Sequence, residues 1–176
     1  MNRKWFVIFT QSGKEKRVKE VLEHCFPSHE VKPLVPARKL KERKGGIERT
    51  VIRTLFPGYV FIKAHMKSET YRRIKQIPSI VDLLKADCEP AEVPDEEMRP
   101  ILRLTRDCEI IEFSRGIKVG TKVKIIDGPL KDLRGYIIDV DRRKGRAKVA
   151  LELLGQGKKV ELGLIVLERY DSIVNS

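Results

Sequence analysis

The pattern of apolar and polar residues changes between the two halves of the chain. In residues 1–106, short apolar runs typical of strands alternate with segments in which apolar residues recur with a helical period. Residues 119–167 contain only short alternating runs, separated by glycine-containing turns. The pattern predicts an α+β domain, an antiparallel sheet flanked by helices, followed by a small five-stranded β-barrel.

Two segments predict the central strands of the sheet. Residues 4–10 are apolar enough for a buried strand. A second strand begins at Tyr59, after a tight turn in which Pro57 presets φ and Gly58 takes a positive φ. Phe56 and Tyr59 flank this turn as large rings, an arrangement that suits either a corner of the core or a docking surface.

Residues 31–53 predict a hairpin that reverses at the glycine pair 45–46. Basic side chains follow both of its arms: Arg38, Lys39, Lys41, Arg43, Lys44, Arg49 and Arg53. Such arms suit a solvated edge hairpin that charge protects against aggregation. They also suit a contact with nucleic acid or polymerase, which is the interpretation that their number favours.

Three helices are predicted between the strands. Ser12 and Glu15 have the spacing of a capping box, so the first helix is expected to begin at Ser12 and to bury one stripe that ends at Cys25. The second begins at Ser68. The third follows Pro94, and acidic residues occupy its first turn, where the helix dipole favours them.

Charge is the most informative part of the composition. The chain of 176 residues holds 37 Lys and Arg against 25 Asp and Glu, a net charge of +12, and both halves share the excess. A polyanion such as RNA, DNA or an acidic protein surface is therefore the expected partner, although a basic surface also serves solubility. No apolar run approaches the roughly 20 residues of a membrane span, and no signal-peptide pattern is present. We expect a soluble, cytoplasmic monomer that does not bind membranes.

No pattern in the sequence is typical of catalysis. There is no P-loop and no nucleophile elbow, and the histidines are scattered at positions 24, 29 and 65. Cys25, Cys88 and Cys108 form no Cys-x-x-Cys pair, which argues against a zinc site or a disulfide framework. We expect mostly buried, reduced thiols, no cofactor, no metal and no enzymatic activity.

Two parts of the chain resemble the NusG family of transcription elongation factors. Residues 56–62, Phe-Pro-Gly-Tyr-Val-Phe-Ile, follow Lys-Trp-Phe-Val-Ile at 4–8 by about fifty residues, as in the N-terminal (NGN) domain of that family. Residues 119–135, Val-Gly-Thr-Lys-Val-Lys-Ile-Ile-Asp-Gly-Pro-Leu-Lys-Asp-Leu-Arg-Gly, resemble its KOW motif. In this motif we expect Gly135 to permit a close backbone approach.

Together the pattern and the resemblance predict two domains. Residues 1–106 would be an NGN-like domain that binds RNA polymerase, and residues 119–176 a KOW domain with an SH3-like barrel. Residues 107–118, where the pattern weakens, are the predicted linker, with a hinge at Arg115 and Gly116.

The resemblance also implies a function. In the family, an apolar depression on the N-terminal domain docks on the clamp helices of the largest polymerase subunit. Its aromatic lining corresponds here to Trp5, Phe56 and Tyr59, and Pro57 and Gly58 would hold that lining in shape. A few rigid aromatic anchors supply most of the energy of such an interface. The expected effect is suppression of pausing or termination, which is processive antitermination.

The second domain of the family recruits ribosomal protein S10 or the termination factor Rho, usually through an aromatic residue after the Asp-Gly-Pro turn. Here that position is Leu130, so we expect partner binding through Leu130 and Leu133, and S10 or Rho coupling is in doubt. This difference and the basic charge favour a specialised paralogue of the LoaP type, which recognises a leader RNA hairpin.

Two basic sets are the candidate RNA contacts, and non-template DNA is a further candidate partner. The first is the exposed face of the second helix, and the second is the hairpin: Arg72, Arg73 and Lys75; Lys39, Lys41, Arg43 and Lys44. Three interpretations compete with the paralogue: a housekeeping factor that couples polymerase to S10 or Rho, a ribosome-associated KOW protein that binds RNA, and an enzyme, which no motif supports.

Overall fold

The computed structural model describes residues 2–106 and 108–168. These residues form an α+β unit followed by a curled β-sheet, which confirms the predicted fold class. The first part contains β1 (Lys4–Thr10), α1 (Glu15–Cys25), β2 (Val31–Leu34), β3 (Ala37–Lys44), β4 (Ile47–Thr54), β5 (Tyr59–Ala64), α2 (Ser68–Lys75), β6 (Ile80–Leu83), β7 (Lys85–Ala86), β8 (Glu89–Pro90), α3 (Asp95–Leu104) and β9 (Ile110–Ile111). The second contains β10 (Ser114–Val119), β11 (Lys122–Asp127), a 3-10 helix (Pro129–Tyr136), β12 (Ile137–Asp141), β13 (Arg146–Leu153) and β14 (Gln156–Leu167).

The central sheet of the first part has the strand order β2-β5-β1-β6. The residues of β1 alternate between its two faces, as period-two side chains must. Phe6 and Ile8 pack against α1 and α2, whereas Trp5 and Val7 lie on the opposite face with α3. That second face carries the turn and the rings that the sequence singled out.

The basic hairpin is formed by β3 and β4, paired antiparallel from Ala37 opposite Thr54 to Lys44 opposite Ile47. Gly45 and Gly46 have φ values of 59° and 81°, the left-handed conformation that a tight hairpin turn of this type requires. The predicted reversal is therefore confirmed. β9 extends this small sheet by pairing parallel to β3.

The first helix begins three positions later than predicted, at Glu15 instead of Ser12. Ser12 makes no side-chain cap, because the Glu15 carboxylate is used differently: it accepts hydrogen bonds from the backbone N–H groups of Gly13 (2.9 Å) and Gly58 (2.6 Å). The expectation of buried cysteines is also wrong. Cys25, Cys88 and Cys108 are all exposed free thiols.

The second sheet has the strand order β11-β10-β14-β13-β12. Its strand β10 begins inside the segment predicted as a linker, and Arg115 and Gly116, the predicted hinge, pair with Ile165 and Val166 of β14. A Cβ at Gly116 would lie 2.6 Å from the Val123 side chain, so this glycine permits close packing and is not a hinge. Asp107, at the start of the predicted linker, lies outside the described residues.

The two parts pack against each other through a continuous apolar cluster. The cluster joins the second face of the central sheet, α3 and the interior of the curled sheet: Trp5, Val7, Phe61, Met98, Ile101, Leu130, Leu133, Val149 and Leu151 are among its members. The molecule is therefore closed, with the barrel held against the face that α1 and α2 leave free. Within residues 2–106 and 108–168, no helix has the length and apolar character to cross a membrane.

Candidate binding surfaces

Aromatic rings gather on the second face of the central sheet. Phe9 meets Tyr59 edge-on at 5.1 Å between ring centres, Phe56 stacks on Tyr59 at 6.4 Å, and Phe56 meets Phe61 edge-on at 5.5 Å. Trp5 and Phe56 are only 6 % and 5 % exposed, and Tyr59 is half-buried. In the closed molecule Tyr59 is thus the member of the predicted docking set whose ring is most accessible.

The turn at Pro57 and Gly58 holds these rings in place. Gly58 has a φ of 83°, as expected, and its carbonyl accepts a hydrogen bond from the N–H of Thr10 (2.9 Å). The buried Glu15 carboxylate binds the Gly58 N–H from the other side. From the sequence, Glu15 was expected to form part of a helix cap; its bond to Gly58 could not be predicted, because nothing in the sequence brings residues 15 and 58 together.

The barrel covers one side of the aromatic cluster. The turn between β13 and β14 donates the N–H groups of Leu154 (2.5 Å) and Gly155 (3.3 Å) to the carboxylate of Glu97 on α3. Lys158 places its ammonium group 5.4 Å from the centre of the Tyr59 ring. A partner that needs the whole aromatic surface must therefore displace this turn.

A second contact joins the barrel to the basic hairpin. Arg146 of β13 forms an ion pair with Glu161 (2.6 Å) and reaches the backbone carbonyl of Lys41 (3.4 Å). The backbone of Lys39 lies directly against Gly163, since a Cβ at Gly163 would come within 2.5 Å of the Lys39 carbonyl oxygen. The fit between the two parts is thus close at the level of the backbone.

Arg38 lies beneath the barrel with little compensation for its charge. Its Nε is buried and has no hydrogen-bond partner among the described residues, and the same holds for Nε of Arg146. Burial lowers the pKa of the Arg38 guanidinium, nearby Glu161 opposes this change, and the like charge of Arg146 adds to it. Glu161 is therefore the carboxylate that offsets the charges of both Arg38 and Arg146 at this contact.

Two of the three helix residues proposed to bind RNA are engaged within the protein. Arg73 lies 4.2 Å from the centre of the Phe26 ring, donates to the Cys25 carbonyl (2.8 Å) and pairs with Glu30 (3.2 Å). Lys75 pairs with Asp82 (2.9 Å) and holds the pKa of that carboxyl below its usual value. Arg72 is exposed.

These contacts predict that Arg73 and Arg72 differ in their effect on stability. Arg73→Ala should lower the free energy of unfolding by about 1–2 kcal/mol, since it removes a cation–π contact, a hydrogen bond and a partly exposed ion pair. Arg72→Ala, its exposed neighbour, should change it by less than about 0.5 kcal/mol. Urea unfolding measures both variants, and equal losses would show that Arg73 does not anchor the end of α1.

The hairpin set is also partly engaged within the protein. Lys39 pairs with Glu112 (2.5 Å) and Lys41 with Glu48 (2.9 Å), both at the surface. Arg43 and Lys44 are exposed near the turn, where Nε of Arg43 donates to the Gly46 carbonyl (3.3 Å). Surface ion pairs of this kind are weak and exchange readily for phosphate contacts.

The proposed partner residues of the second domain are inaccessible in the closed molecule. Leu130 and Leu133 both have zero exposure. The N–H of Leu130 donates to Oγ of the buried Ser114 (2.9 Å), which ties the KOW turn to the start of β10. Binding of a partner through these two leucines stays a prediction that requires the molecule to open. Among the described residues, no cluster of His, Cys, Asp and Glu could hold a metal ion.

The fold combines an α+β part and a curled β-sheet, and it presents an aromatic cluster and a basic hairpin. A family model described as "Transcription termination factor nusG" matches residues 3–102. The chain is 30 % identical to the transcription termination/antitermination protein NusG of Vibrio cholerae, over 96 % of this chain and 97 % of that protein. It is 29 % identical to the NusG of Pasteurella multocida over 95 % of each chain.

A solved structure described as "Domain interaction in Thermotoga maritima NusG" is also similar, with 33 % identity and a TM-score of 0.59 over 93 % of this chain and 94 % of that one. The chain belongs to the NusG family. It is therefore a transcription termination/antitermination factor and not an enzyme, and proteins of this family bind RNA polymerase.

Proposed function

We propose that this protein docks on the clamp helices of the largest RNA polymerase subunit and suppresses pausing and termination. The observation that carries the proposal is the aromatic cluster of Phe9 on β1 with Phe56 and Tyr59 at the rigid turn before β5, on the sheet face that α1 and α2 leave free. Rigid aromatic rings at the centre of an interface supply most of its energy. The protein acts by holding the clamp, without chemistry of its own.

The closed arrangement limits this docking. The turn at Leu154 and Gly155 lies beside Tyr59 and is held by Glu97, so the polymerase and the barrel compete for one surface. The solved structure of the Thermotoga maritima relative is named for a domain interaction in that protein, which supports a functional contact here. Only open molecules can then bind polymerase, so the apparent affinity falls in proportion to the fraction of molecules that are open.

A leader RNA hairpin is the proposed specificity signal. The exposed basic residues of the β3–β4 hairpin support this, together with Arg72 on α2. Arg73 and Lys75 are held by Glu30 and Asp82, and Lys39 and Lys41 by Glu112 and Glu48. Arg43 and Lys44 are exposed beside the turn, so the tip of the hairpin is the stronger candidate surface. RNA that binds there would select the operon on which the factor acts.

A housekeeping role is the second candidate. The relatives that cover almost the whole chain carry the general name transcription termination/antitermination protein, which favours a factor that acts on many transcripts. In that case the opened barrel would recruit ribosomal protein S10 or Rho through the surface around Leu130 and Leu133. Dependence on a particular RNA distinguishes the two candidates.

Docking is tested with Tyr59→Ala in the full chain and a purified elongation complex. Phe56 is unsuitable, because truncating a buried Phe destabilises a protein by about 3–5 kcal/mol. Tyr59→Ala should weaken binding to the complex roughly tenfold or more, since it removes a central anchor. Tyr71→Ala is the matched control, because Tyr71 is also half-buried but packs on the opposite face.

Fluorescence anisotropy measures binding of each variant to the elongation complex, and the measurement is made on transcripts with and without a leader stem-loop. Tighter binding to one stem-loop supports the specialised factor, and equal binding to every transcript supports the housekeeping factor. If Tyr59→Ala and Tyr71→Ala bind the elongation complex alike, the aromatic surface is not the docking site.

A further inference from the structure

The two faces of the basic hairpin differ in what covers them. Residues directly opposite each other in an antiparallel pair share a face. Arg38 is opposite Arg53, and Glu42 is opposite Arg49, so these side chains lie on one face, which we call the inner face. Lys39, Lys41 and Arg43 alternate with them and lie on the outer face, whereas Lys44, the fourth member of the hairpin set, falls on the inner face.

The barrel lies against the hairpin from Arg38 to the Lys41 carbonyl. Arg38 is surrounded by Glu161 and Arg146 of the barrel, and the charge of Arg146 extends to Glu42 on the same face. Arg53, directly opposite Arg38, is exposed and forms two hydrogen bonds with Glu42 (2.9 and 2.7 Å). Arg49 is exposed as well.

This contact satisfies Arg38 poorly. Its Nε has no partner among the described residues, and Glu161, the carboxylate that acts on its charge, is already held by Arg146 at 2.6 Å. A guanidinium forms bidentate bonds with a phosphate, and such charge-assisted bonds are about twice as strong as neutral ones. Arg38 therefore binds an anion better when the barrel has moved away than it binds the barrel in the closed molecule.

We propose that the inner face, with Arg38, Arg49 and Arg53, is a phosphate-binding surface for a double-helical RNA stem, and that the barrel and the RNA exclude each other at Arg38. The inference rests on the proposed recognition of RNA and adds a second, covered site to it. RNA on this face opens the molecule and thereby frees the aromatic surface for polymerase.

The chemistry of the face selects the kind of RNA. Between the arginines lie Leu40 and Val51, opposite each other, and no aromatic ring is present among the inner-face residues named here. Proteins that bind single strands use aromatic rings on which bases stack. Without such rings, binding relies on phosphates, which the backbone of a stem presents in a fixed array. RNA binding then favours the open molecule, and the open molecule binds RNA more tightly by the same factor.

The test uses the full chain with one dye on each domain, and a labelled RNA stem-loop. Energy transfer between the dyes reports closure, and anisotropy reports RNA binding. RNA should lower the energy transfer of the native protein. Arg38→Met should weaken RNA binding about tenfold and reduce the response of the energy transfer to RNA, because methionine fills the space under the barrel without a charge.

Arg43→Met is the matched control on the outer face. It should weaken RNA binding by a smaller factor and leave the energy transfer of the free protein unchanged, since Arg43 is exposed and its Nε donates to the Gly46 carbonyl at the tip of the hairpin. Native RNA affinity in Arg38→Met, or RNA binding that leaves the energy transfer unchanged, would overturn the inference.

Further binding experiments distinguish a failure of this inference from a failure of the proposed function. Equal affinity for a DNA duplex of the same sequence, or for the unpaired RNA strand, would overturn the assignment to an RNA stem. If the native protein binds no RNA at all, the RNA part of the proposed function fails with it. Binding of RNA that depends on Arg43 but not on Arg38 would leave the proposed function intact and reject only the inner face.

Discussion

Gly163→Ala is expected to separate the two domains. The new Cβ would lie 2.5 Å from the carbonyl oxygen of Lys39 and would also contact the Phe113 ring. A side-chain ring can turn aside, but the Lys39 carbonyl belongs to the backbone of β3 in the other domain. Overpacking of this kind destabilises a structure by about 1–3 kcal/mol, and here it destabilises the closed arrangement.

The expected consequence is a gain of function. A change of 1–3 kcal/mol corresponds to a roughly fivefold to 150-fold shift in the ratio of closed to open molecules. If the closed form predominates in the native protein, affinity for the elongation complex should rise by a similar factor, because the aromatic surface is freed. Titration of the complex with labelled protein measures this change, and small-angle scattering measures the opening.

The control for this variant lies on the same strand. At Gly157 no atom lies within 4 Å of the place that a Cβ would take, so Gly157→Ala should leave both closure and polymerase binding unchanged. Equal behaviour of the two variants would contradict the interdomain contact at Gly163. Circular dichroism of Gly163→Ala must retain the β signal, since a lost signal would indicate that the barrel itself had unfolded.

The local elements could be predicted because their causes are local. The glycine pair at 45–46 and the Pro57–Gly58 turn need positive φ, and the residue types indicate this directly. The alternation along β1 likewise identified which side chains share a face. Strand β10 was missed because its glycine, Gly116, suggests flexibility in a sequence but serves close packing in the fold.

The interactions that define the site are long-range, and the sequence does not reveal them. The Glu15 carboxylate could be assigned to a helix cap, yet it holds Gly58 across the sheet. Arg73 is of a residue type that commonly contacts RNA, but in the fold it anchors the end of α1. The closed arrangement depends on Glu97 and Gly163, and neither residue stands out within its own segment. The net charge of the sequence predicts the kind of partner, whereas packing in the fold decides which charged side chains can contact that partner.

Gly128→Ala should have the largest effect on the stability of the second domain. Gly128, the central residue of the Asp-Gly-Pro turn of the KOW motif, has φ 92° and ψ −176°, a conformation that is essentially restricted to glycine. A Cβ there would lie 2.6 Å from Cα of Ser114, the residue whose hydroxyl holds the N–H of Leu130. Backbone strain and overpacking together should remove about 2–6 kcal/mol of stability.

This loss is a large part of the roughly 5–15 kcal/mol that typically stabilises a domain, so the barrel of Gly128→Ala should be partly unfolded. Hydrogen exchange should show fast exchange in β10 to β14 and protection in β1 and β5, whose core faces α1 and α2. Gly135→Ala in the same motif is the control. Contrary to expectation, Gly135 has no close neighbour within 4 Å, so this variant should stay within about 0.5 kcal/mol of the native protein. Equal protection of the barrel in both variants would mean that the turn at Gly128 tolerates a side chain, and that its glycine is not required for the fold.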